Sequence, residues 1–481
     1  LGASPFADER TVMSTYYATK AEGCLLLHQG AAALADVEAA GIRIDGRRLQ
    51  ANIDRVSRKI SNIREQLKQS EVWQVWEKTY KHKANMRSRS QLGTVLFKQM
   101  GIPHPLSIGP NDTRTKGGRY RTDAHTLSLV DHPFVKRYLS CERLEKARAT
   151  YLLGIQQETH NGYLHPSFNL HLVRSYRSSS DSPNFQNMPR HNPWIARLVR
   201  SCFIARPNHY LIESDFSKIE VCISACLNKD PELLRYMRDP TTDMHRDIAA
   251  ELFQCEQSEV TKQARDCAKG NFVFAQFYGD WYKHCAALIW QNIGSQKLTL
   301  ADGTPLKKHL ATKGIRTLGS CQSGGRPASG TFERHVQRVE DWFWNERFRV
   351  YNERREQWWM DYQQRGYFDL ITGFRISGLY NRNDVINYRI QGPAFHCLLW
   401  ALIRLNRWLK KKRMKTKIVG QIHDSIVADV AKSEREAYLA KSNKIMTQEL
   451  PKAWPWIIVP LKVEAEAAPL GGAWIDKETI S

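Results

Sequence analysis

No two of the ten cysteines are spaced as C-x-x-C, so the ligand pattern of a zinc ribbon or finger is missing, and with it the paired framework of a small secreted domain. The tightest spacing, Cys222 with Cys226, places both on one helical face, where small buried side chains explain them better than a metal does. A reducing, intracellular compartment is the expectation. No run of 18 apolar residues occurs, which removes a membrane-spanning helix, and no internal repeat is visible. No signal peptide is recognisable, and the first residue is Leu1 and not methionine, as in a trimmed product. What the chain most lacks is negative charge. Its 49 Asp and Glu face 71 Lys and Arg, for a formal charge of +22. That is out of range for a neutral metabolic enzyme and points to a polyanion as partner, because cations beside phosphates release condensed counterions on binding.

At 481 residues, 42% of them hydrophobic, the chain is longer than one ordinary domain and has the apolar content for several lobes with their own cores. Residues 25–74 alternate apolar and charged positions at helical spacing, broken at Gly41, where G-I-R-I-D reads as an extended link. The second of these helices, about 47–69, has a basic face that can lie along a duplex or simply be solvated. Residues 100–120 are polar and glycine-rich and read as a mobile loop, and a third helix is expected over 132–159. Residues 162–173 alternate like a strand. The loop that follows, R-S-Y-R-S-S-S-D-S-P-N-F-Q-N-M-P, is dense in groups that bond phosphate oxygens and minor-groove edges. Strand character from Tyr210 passes into a helix near Lys218. Residues 230–293 read as helices, 295–331 as a polar loop region and 331–364 as helix again. The last part combines a helix at about 385–410 with strands at 415–422, 425–430 and 457–466. The fold class is therefore α+β in several lobes, not a βαβ repeat.

In K-T-K-I-V-G-Q-I-H-D-S-I-V-A-D-V two β-rich runs are separated by polar residues, a hairpin that lifts His423 and Asp424 to its tip. An ion or a phosphate can reach them there, although a turn aspartate can equally just satisfy turn amides. A second strand, Y-L-I-E-S-D-F, brings Asp215 to its end, before a helix that this residue could simply cap. Nucleotidyl transfer gives the pair a purpose. Two divalent ions about 4 Å apart, one activating the attacking hydroxyl and one holding pyrophosphate, need carboxylates to bridge them. Magnesium keeps several waters, so two aspartates from different strands suffice. Arg265 and Lys269, four apart, share a helical face that can meet a triphosphate or be solvated. Phe274 and Tyr278, also four apart, can stack on a nascent base pair or belong to a core.

D-F-S-K-I-E at 215–220 resembles the first conserved motif of the DNA polymerase I family, family A, and Q-I-H-D-S at 421–425 resembles its last. Between them, R-D-C-A-K-G-N-F-V-F-A-Q-F-Y-G at 265–279 is similar to the nucleotide-binding helix of the fingers. V-I-N-Y-R-I-Q-G at 385–392 is similar to the segment behind the primer terminus, and R-S-S-S-D-S-P-N-F-Q-N-M-P at 177–189 to the template-primer loop. D-M-H at 243–245 looks like a fingers signature and V-E-A-A-G-I-R-I-D at 37–45 like the start of the thumb. The matches run in family order over nearly the whole chain.

The resemblance implies a right-hand fold around an antiparallel palm sheet, with a stub at 1–24 that can be the end of an exonuclease region, thumb at 25–155, palm at 156–230 and 367–481, and fingers at 231–366. It implies template-directed DNA synthesis, with Asp215 and Asp424 on two Mg2+ ions, Mn2+ as a substitute, and Lys269 neutralising the reacting phosphate. Arg265 would bind the terminal phosphate and His245 the same phosphates, Phe274 and Tyr278 would stack on the nascent pair, and Glu220 would be the steric gate against a ribose 2'-hydroxyl. Arg177, Asn184, Gln186, Asn187, Asn387, Gln391 and His423 would contact primer, template or minor groove. The implied partners are primer–template DNA, deoxynucleoside triphosphates and a separate exonuclease, helicase or processivity factor, for a monomer without membrane association. Compact length and the F-V-F-A-Q-F-Y-G variant resemble phage replicative enzymes, working in the bacterial host cytoplasm, with an organellar or bacterial relative as alternatives.

The sequence departs from the family pattern in places. Ser425 replaces the acidic residue that usually follows the last aspartate, and Asn383 stands where an arginine often precedes the Asn and Gln pair. One extra residue separates Lys269 from Phe274; either a one-residue bulge absorbs it or Val273 or Phe277 faces the nucleotide instead. Y-Y-A-T-K-A-E at 16–22 weakly resembles the closing motif of the proofreading exonuclease, with Lys20 where an acidic ligand is expected; no 3'–5' excision is expected of a chain with so little before the thumb. Two rivals remain open at this point: a single-subunit RNA polymerase, and a catalytically silent nucleic-acid-binding protein on the same scaffold.

Overall fold

A computed structural model describes residues 17–105, 113–115, 117–190, 192–319 and 327–480. Most of the stub and parts of the two expected loops at 100–120 and 295–331 lie outside the described residues.

Thr19 starts the first helix, α1 (Lys20–Ala40): its hydroxyl accepts from Glu22 N at 3.2 Å while the Glu22 carboxylate accepts from Thr19 N at 2.7 Å. The Y-Y-A-T-K-A-E stretch thus carries a reciprocal helix cap. Gly41 ends α1 at φ +61, an extended Ile42–Ile44 follows, and Asp45 caps α2 (Gly46–Lys68) by accepting from Arg48 N at 3.0 Å. The buried face of α2, Leu49, Ile53, Val56, Ile60 and Leu67, packs on α3 (Pro133–Lys146). The helix expected over 132–159 is α3, a π-turn at Ala147–Leu152 and a final segment Leu153–Glu158.

The central helices are α4 (Ile219–Asn228), α5 (Met244–Phe253), α6 (Lys262–Ala268), α7 (Phe274–Phe277), α8 (Phe332–Trp342) and α9 (Arg349–Arg365). They pack around Phe272, Phe277, Phe343, Phe348 and Tyr351. A 30-residue helix, α10 (Arg382–Lys411), then runs buried through the middle of the molecule against α1. Two helices depart from the sequence reading. Leu306–Thr312 lies inside the stretch expected to be loop, and α11 (Arg435–Lys444) continues through a π-turn to Ala453, between the expected strands at 425–430 and 457–466 where no element is expected. The first buries only Leu306 and Leu310, too few positions to show a period; in the second the buried Tyr438, Ile445, Met446 and Leu450 are diluted by charged and polar positions. Among the described residues no helix is long and apolar enough to cross a membrane.

These helices hold a five-stranded antiparallel sheet of β1 (His209–Phe216), β2 (Lys417–Ile422), β3 (Ser425–Ala431), β4 (Val463–Ala467) and β5 (Glu478–Ile480), in the order β2-β3-β1-β4-β5. The strand expected over 457–466 is shorter, starting at Val463. In register, Asp215 stands between Ser425 of β3 and Glu464 of β4, and Glu213 between Val427 and Glu466. Strand alternation therefore gives one face of the sheet four carboxylates, Glu213, Asp215, Glu464 and Glu466. The other face, with Ile212, Ser214, Ile426 and Ala428, is buried.

Candidate active site

The hairpin between β2 and β3 turns on two residues, His423 at φ +48 and Asp424, and Phe216 N donates to Asp424 O at 3.1 Å. That bond ties the turn to the end of β1. Asp215 and Asp424, far apart in the chain, consequently line one cavity of about 470 Å³ together with Glu220, Phe274, Tyr278, Asn387 and Gln391. Burial first, then Asp424, Glu213 and Glu464, push the Asp215 carboxyl up to about 7, and burial pushes Asp424 up to about 6 against the pull of Arg177. Asp424 Oδ1 is buried without a hydrogen-bond partner, and its nearest cation, Arg177 Nη2, is 3.9 Å away. Ser425 lines the same cavity, and its hydroxyl donates to Glu213 at 2.8 Å; Glu213 is further held by Trp474 Nε1 at 3.0 Å and by Lys477. Among the described residues no group of three His, Cys, Asp or Glu side chains is arranged to hold a metal.

Arg265 on α6 is anchored to Asp243, Nε to Oδ2 at 2.6 Å, and Lys269 begins a π-turn at Lys269–Val273. The extra residue between Lys269 and Phe274 is taken up by this wide turn. Val273 points into the core with no exposure, while Phe274 stays half-buried with the Lys269 ammonium 5.4 Å from its ring centroid. Phe277, the other alternative, lines the same cavity but packs among Phe343, Phe348 and Tyr351. His245 is buried edge-on to Phe274, 5.6 Å between centroids, and burial with Arg265, Lys269 and Lys218 pulls its pKa down to about 3, so the ring is neutral. Tyr278 donates to Glu220 at 2.6 Å, and Arg177 reaches the other oxygen of Glu220 at 3.2 Å. Gly279 closes the segment at φ +88, where a Cβ would stand 2.3 Å from Asn383 Oδ1; Asn383 and Asn387 donate to the carbonyls of Gly279 and Tyr278.

Behind α7, Gln276 is buried and donates to Glu340 at 2.6 Å while accepting from Trp344 Nε1 at 2.7 Å. Burial pushes Glu340 up to about 7. A carboxyl whose folded pKa lies above its unfolded value gives stability at low pH that is lost as pH rises through the folded value. Glu340→Gln keeps the acceptor and removes the charge. We expect its Tm to match wild type at pH 5 and to exceed it at pH 8 by on the order of 2 °C in calorimetry; an equal Tm at both would refute the burial argument.

The loop before β1 faces a second cavity of about 610 Å³, lined by Gln186, Asn187, Arg190, His423 and, from α3, Arg143 and Lys146. Gln186 donates to Gln421 at 2.6 Å, whose amide donates to His423 O at 2.7 Å, and Asn184 caps the turn holding Asn187. Most of the residues singled out from the sequence line these two cavities or, like Asn184, the turn beside them; Lys269 and His245 flank the Phe274 ring and Arg265 pairs with Asp243, outside both linings. The sequence reading missed Glu213, Glu464, Glu466, Lys477 and Lys218, which line the same space. The alternation in E-S-D and V-E-A-E is the signal that could have revealed the first three.

The family described as DNA polymerase family A matches residues 52–291 and 365–474. The chain is 26% identical over 462 residues to the thermostable DNA polymerase I of Thermus aquaticus, covering 92% of this chain and 47% of that protein. It is 26% identical over 463 residues to the DNA polymerase I of Bacillus subtilis (strain 168), covering 92% and 44%. It thus spans a little under half the length of these curated relatives. The fold is similar to the POL domain of Pol1 from M. smegmatis, solved in complex with DNA primer-template and dNTP, with a TM-score of 0.71 at 22% identity over 93% of this chain and 70% of that one. The architecture is the mixed α+β polymerase fold with palm, fingers and thumb.

Proposed function

Because the chain belongs to DNA polymerase family A, we propose that it is a template-directed DNA polymerase in which a primer 3'-hydroxyl attacks the innermost phosphate of a paired deoxynucleoside triphosphate and pyrophosphate leaves. The observation that carries this reading is the meeting of Asp215 and Asp424, one with an unpartnered buried oxygen, in one cavity with Glu220, Phe274 and Tyr278. Crowded carboxylates with raised pKa values and an orphaned oxygen fit divalent cations, and the small protein ligand set fits magnesium, which keeps waters. Bound at Asp215 and Asp424, two Mg2+ ions, or Mn2+ in their place, would supply hydroxyl activation and charge neutralisation. Arg265 and Lys269 bind the phosphates, and neutral His245 offers them a hydrogen bond rather than a charge. Glu220, fixed from both sides by Tyr278 and Arg177, cannot swing away from a 2'-hydroxyl, which favours a DNA product over the RNA polymerase alternative.

Primer–template DNA is the macromolecular partner, bound through Arg177, Asn184, Gln186, Asn187, Asn387, Gln391 and His423 and the cations of the larger cavity. We assign the thumb to 25–155, the palm to 156–230 and 367–481 and the fingers to 231–366, with replication in an intracellular, phage-type setting, alongside a separate exonuclease, helicase or processivity factor, as the working role. Primer extension with both nucleotide sugars tests the reading: deoxynucleotide addition supports it, equal ribonucleotide use favours an RNA polymerase, and no addition with either metal favours a silent binding protein. Phe274 at the nucleotide predicts discrimination against dideoxynucleotides by roughly tenfold or more, relaxed in Phe274→Tyr; equal use of both by wild type would displace Phe274 from that role.

A further inference from the structure

Tyr176 stands at φ +58, a left-handed backbone that a residue with a Cβ keeps only where its surroundings hold it. Its N–H donates to Val173 O at 2.9 Å, its hydroxyl donates to Arg375 O at 3.0 Å, and its carbonyl meets His396 Nε2 at 3.1 Å. His396 belongs to α10 and has no exposure. A carbonyl only accepts, so Nε2 carries the proton, and the bare Nδ1 accepts from the Thr372 hydroxyl at 2.7 Å. Burial pulls the pKa of the ring down to about 3, which keeps it neutral. Thr372 is itself buried, and the Phe374 ring packs on both neighbours, 4.8 Å from Tyr176 and 4.4 Å from His396 between centroids. α10 also presses on the preceding residue, for a Cβ at Gly392 would stand 2.8 Å from Ser175 O. The next residue is Arg177, whose Nη1 reaches Glu220 at 3.2 Å and whose Nη2 lies 3.9 Å from Asp424. A peptide turned at Tyr176 would carry that guanidinium away from both carboxylates.

We propose that His396 is a positioning residue for sugar selection: by holding the Tyr176 carbonyl it aims Arg177 at Glu220, so that this carboxylate stays where a ribose 2'-hydroxyl would fall. This rests on the polymerase reading. Fully buried, His396 touches neither nucleotide nor DNA, and its effect passes through one peptide and one guanidinium. His396→Leu removes the donor and strands the carbonyl, so the preference for deoxy- over ribonucleotides, as a ratio of kcat/KM, should fall about tenfold. His396→Gln keeps an N–H donor and should restore most of the ratio, while Thr372→Val, which loosens the ring, should lose about threefold. Adding His396→Leu to Arg177→Met should cost no more of the ratio than Arg177→Met alone, since both act through one contact. A merely structural histidine would lower Tm and slow both sugars alike. That result, an unchanged ratio in His396→Leu, would overturn the proposal, as would losses that multiply in the double variant. If His396→Leu does not fold, an unchanged ratio in Thr372→Val overturns it. If wild type extends no primer, the polymerase reading falls, and NMR of the Arg177 side-chain Nε–H, identified by its loss in Arg177→Met, still decides. A resonance moved by His396→Leu and returned by His396→Gln upholds the positioning; an unmoved one overturns it.

Discussion

Asp424→Asn is expected to cut primer extension on the order of 10³-fold or more, with affinity for primer–template duplex equal or slightly higher. The amide keeps the size and the turn and removes only the charge on which the proposed chemistry depends. Asp215→Asn should do the same, because both carboxylates face one cavity. Stability separates lost chemistry from misfolding. In the metal-free protein the two carboxyls are held at about 7 and about 6, above the ordinary carboxylate range. By linkage they withdraw stability as pH climbs from that range through 7, and neither amide does. At pH 8 the Asp424→Asn protein should therefore unfold at a Tm equal to or above wild type, and added Mg2+ or Mn2+ should raise the wild-type Tm more than the variant's. Undiminished nucleotide addition by the variant would end the polymerase reading.

Arg206→Met should cost about 3–5 kcal/mol in denaturant unfolding. Asp429 in β3 has no exposure, and Arg206 meets it through Nη1 at 2.7 Å and through its backbone N–H at 3.2 Å. The same guanidinium donates to Ala40 O at 2.6 Å, at the end of α1, and lies 4.9 Å from the centroid of the Tyr163 ring. One side chain thus joins the N-terminal helix to the central sheet. Removing it leaves a carboxylate in the interior with no counter-charge, and that stranded charge makes up most of the cost. Replacing both partners by apolar residues, as in Arg206→Met with Asp429→Leu, should recover a large share of the loss. A single-variant loss under about 1 kcal/mol would show that Asp429 finds another partner.

The residues that were legible from the sequence share a cause. The H-D hairpin, the strand ending at Asp215 and the long helices each carry a strong local period or turn signal, and their placement followed. The carboxylates flanking Asp215 were not seen because their role depends on register: Glu464 matters only once β4 lies beside β1, a pairing that nothing local encodes. Lys218 escaped because the left-handed step that brings it to the cavity has no local signal. At Ser425 the motif shows only that an acidic residue is replaced; that its hydroxyl binds Glu213, the neighbour of Asp215 on the same strand face, again depends on register. The helices at 306–312 and 435–453 hid behind charged surface positions.

β1 is flanked on both sides by strands from the last part of the chain, 425–431 and 463–467. While the polypeptide is being synthesised, its two edges stay bare, with N–H and C=O groups that any passing strand could borrow. Distant partners pair slowly, since the intervening loop must close before any contact rewards it. The helical bundles at 20–68 and 244–365 can stand early around an unfinished sheet. The carboxylate face of the sheet is thus completed only when the strands at 425–431 and 463–467 have been made and dock, and until then the nascent β1 needs protection from aggregation.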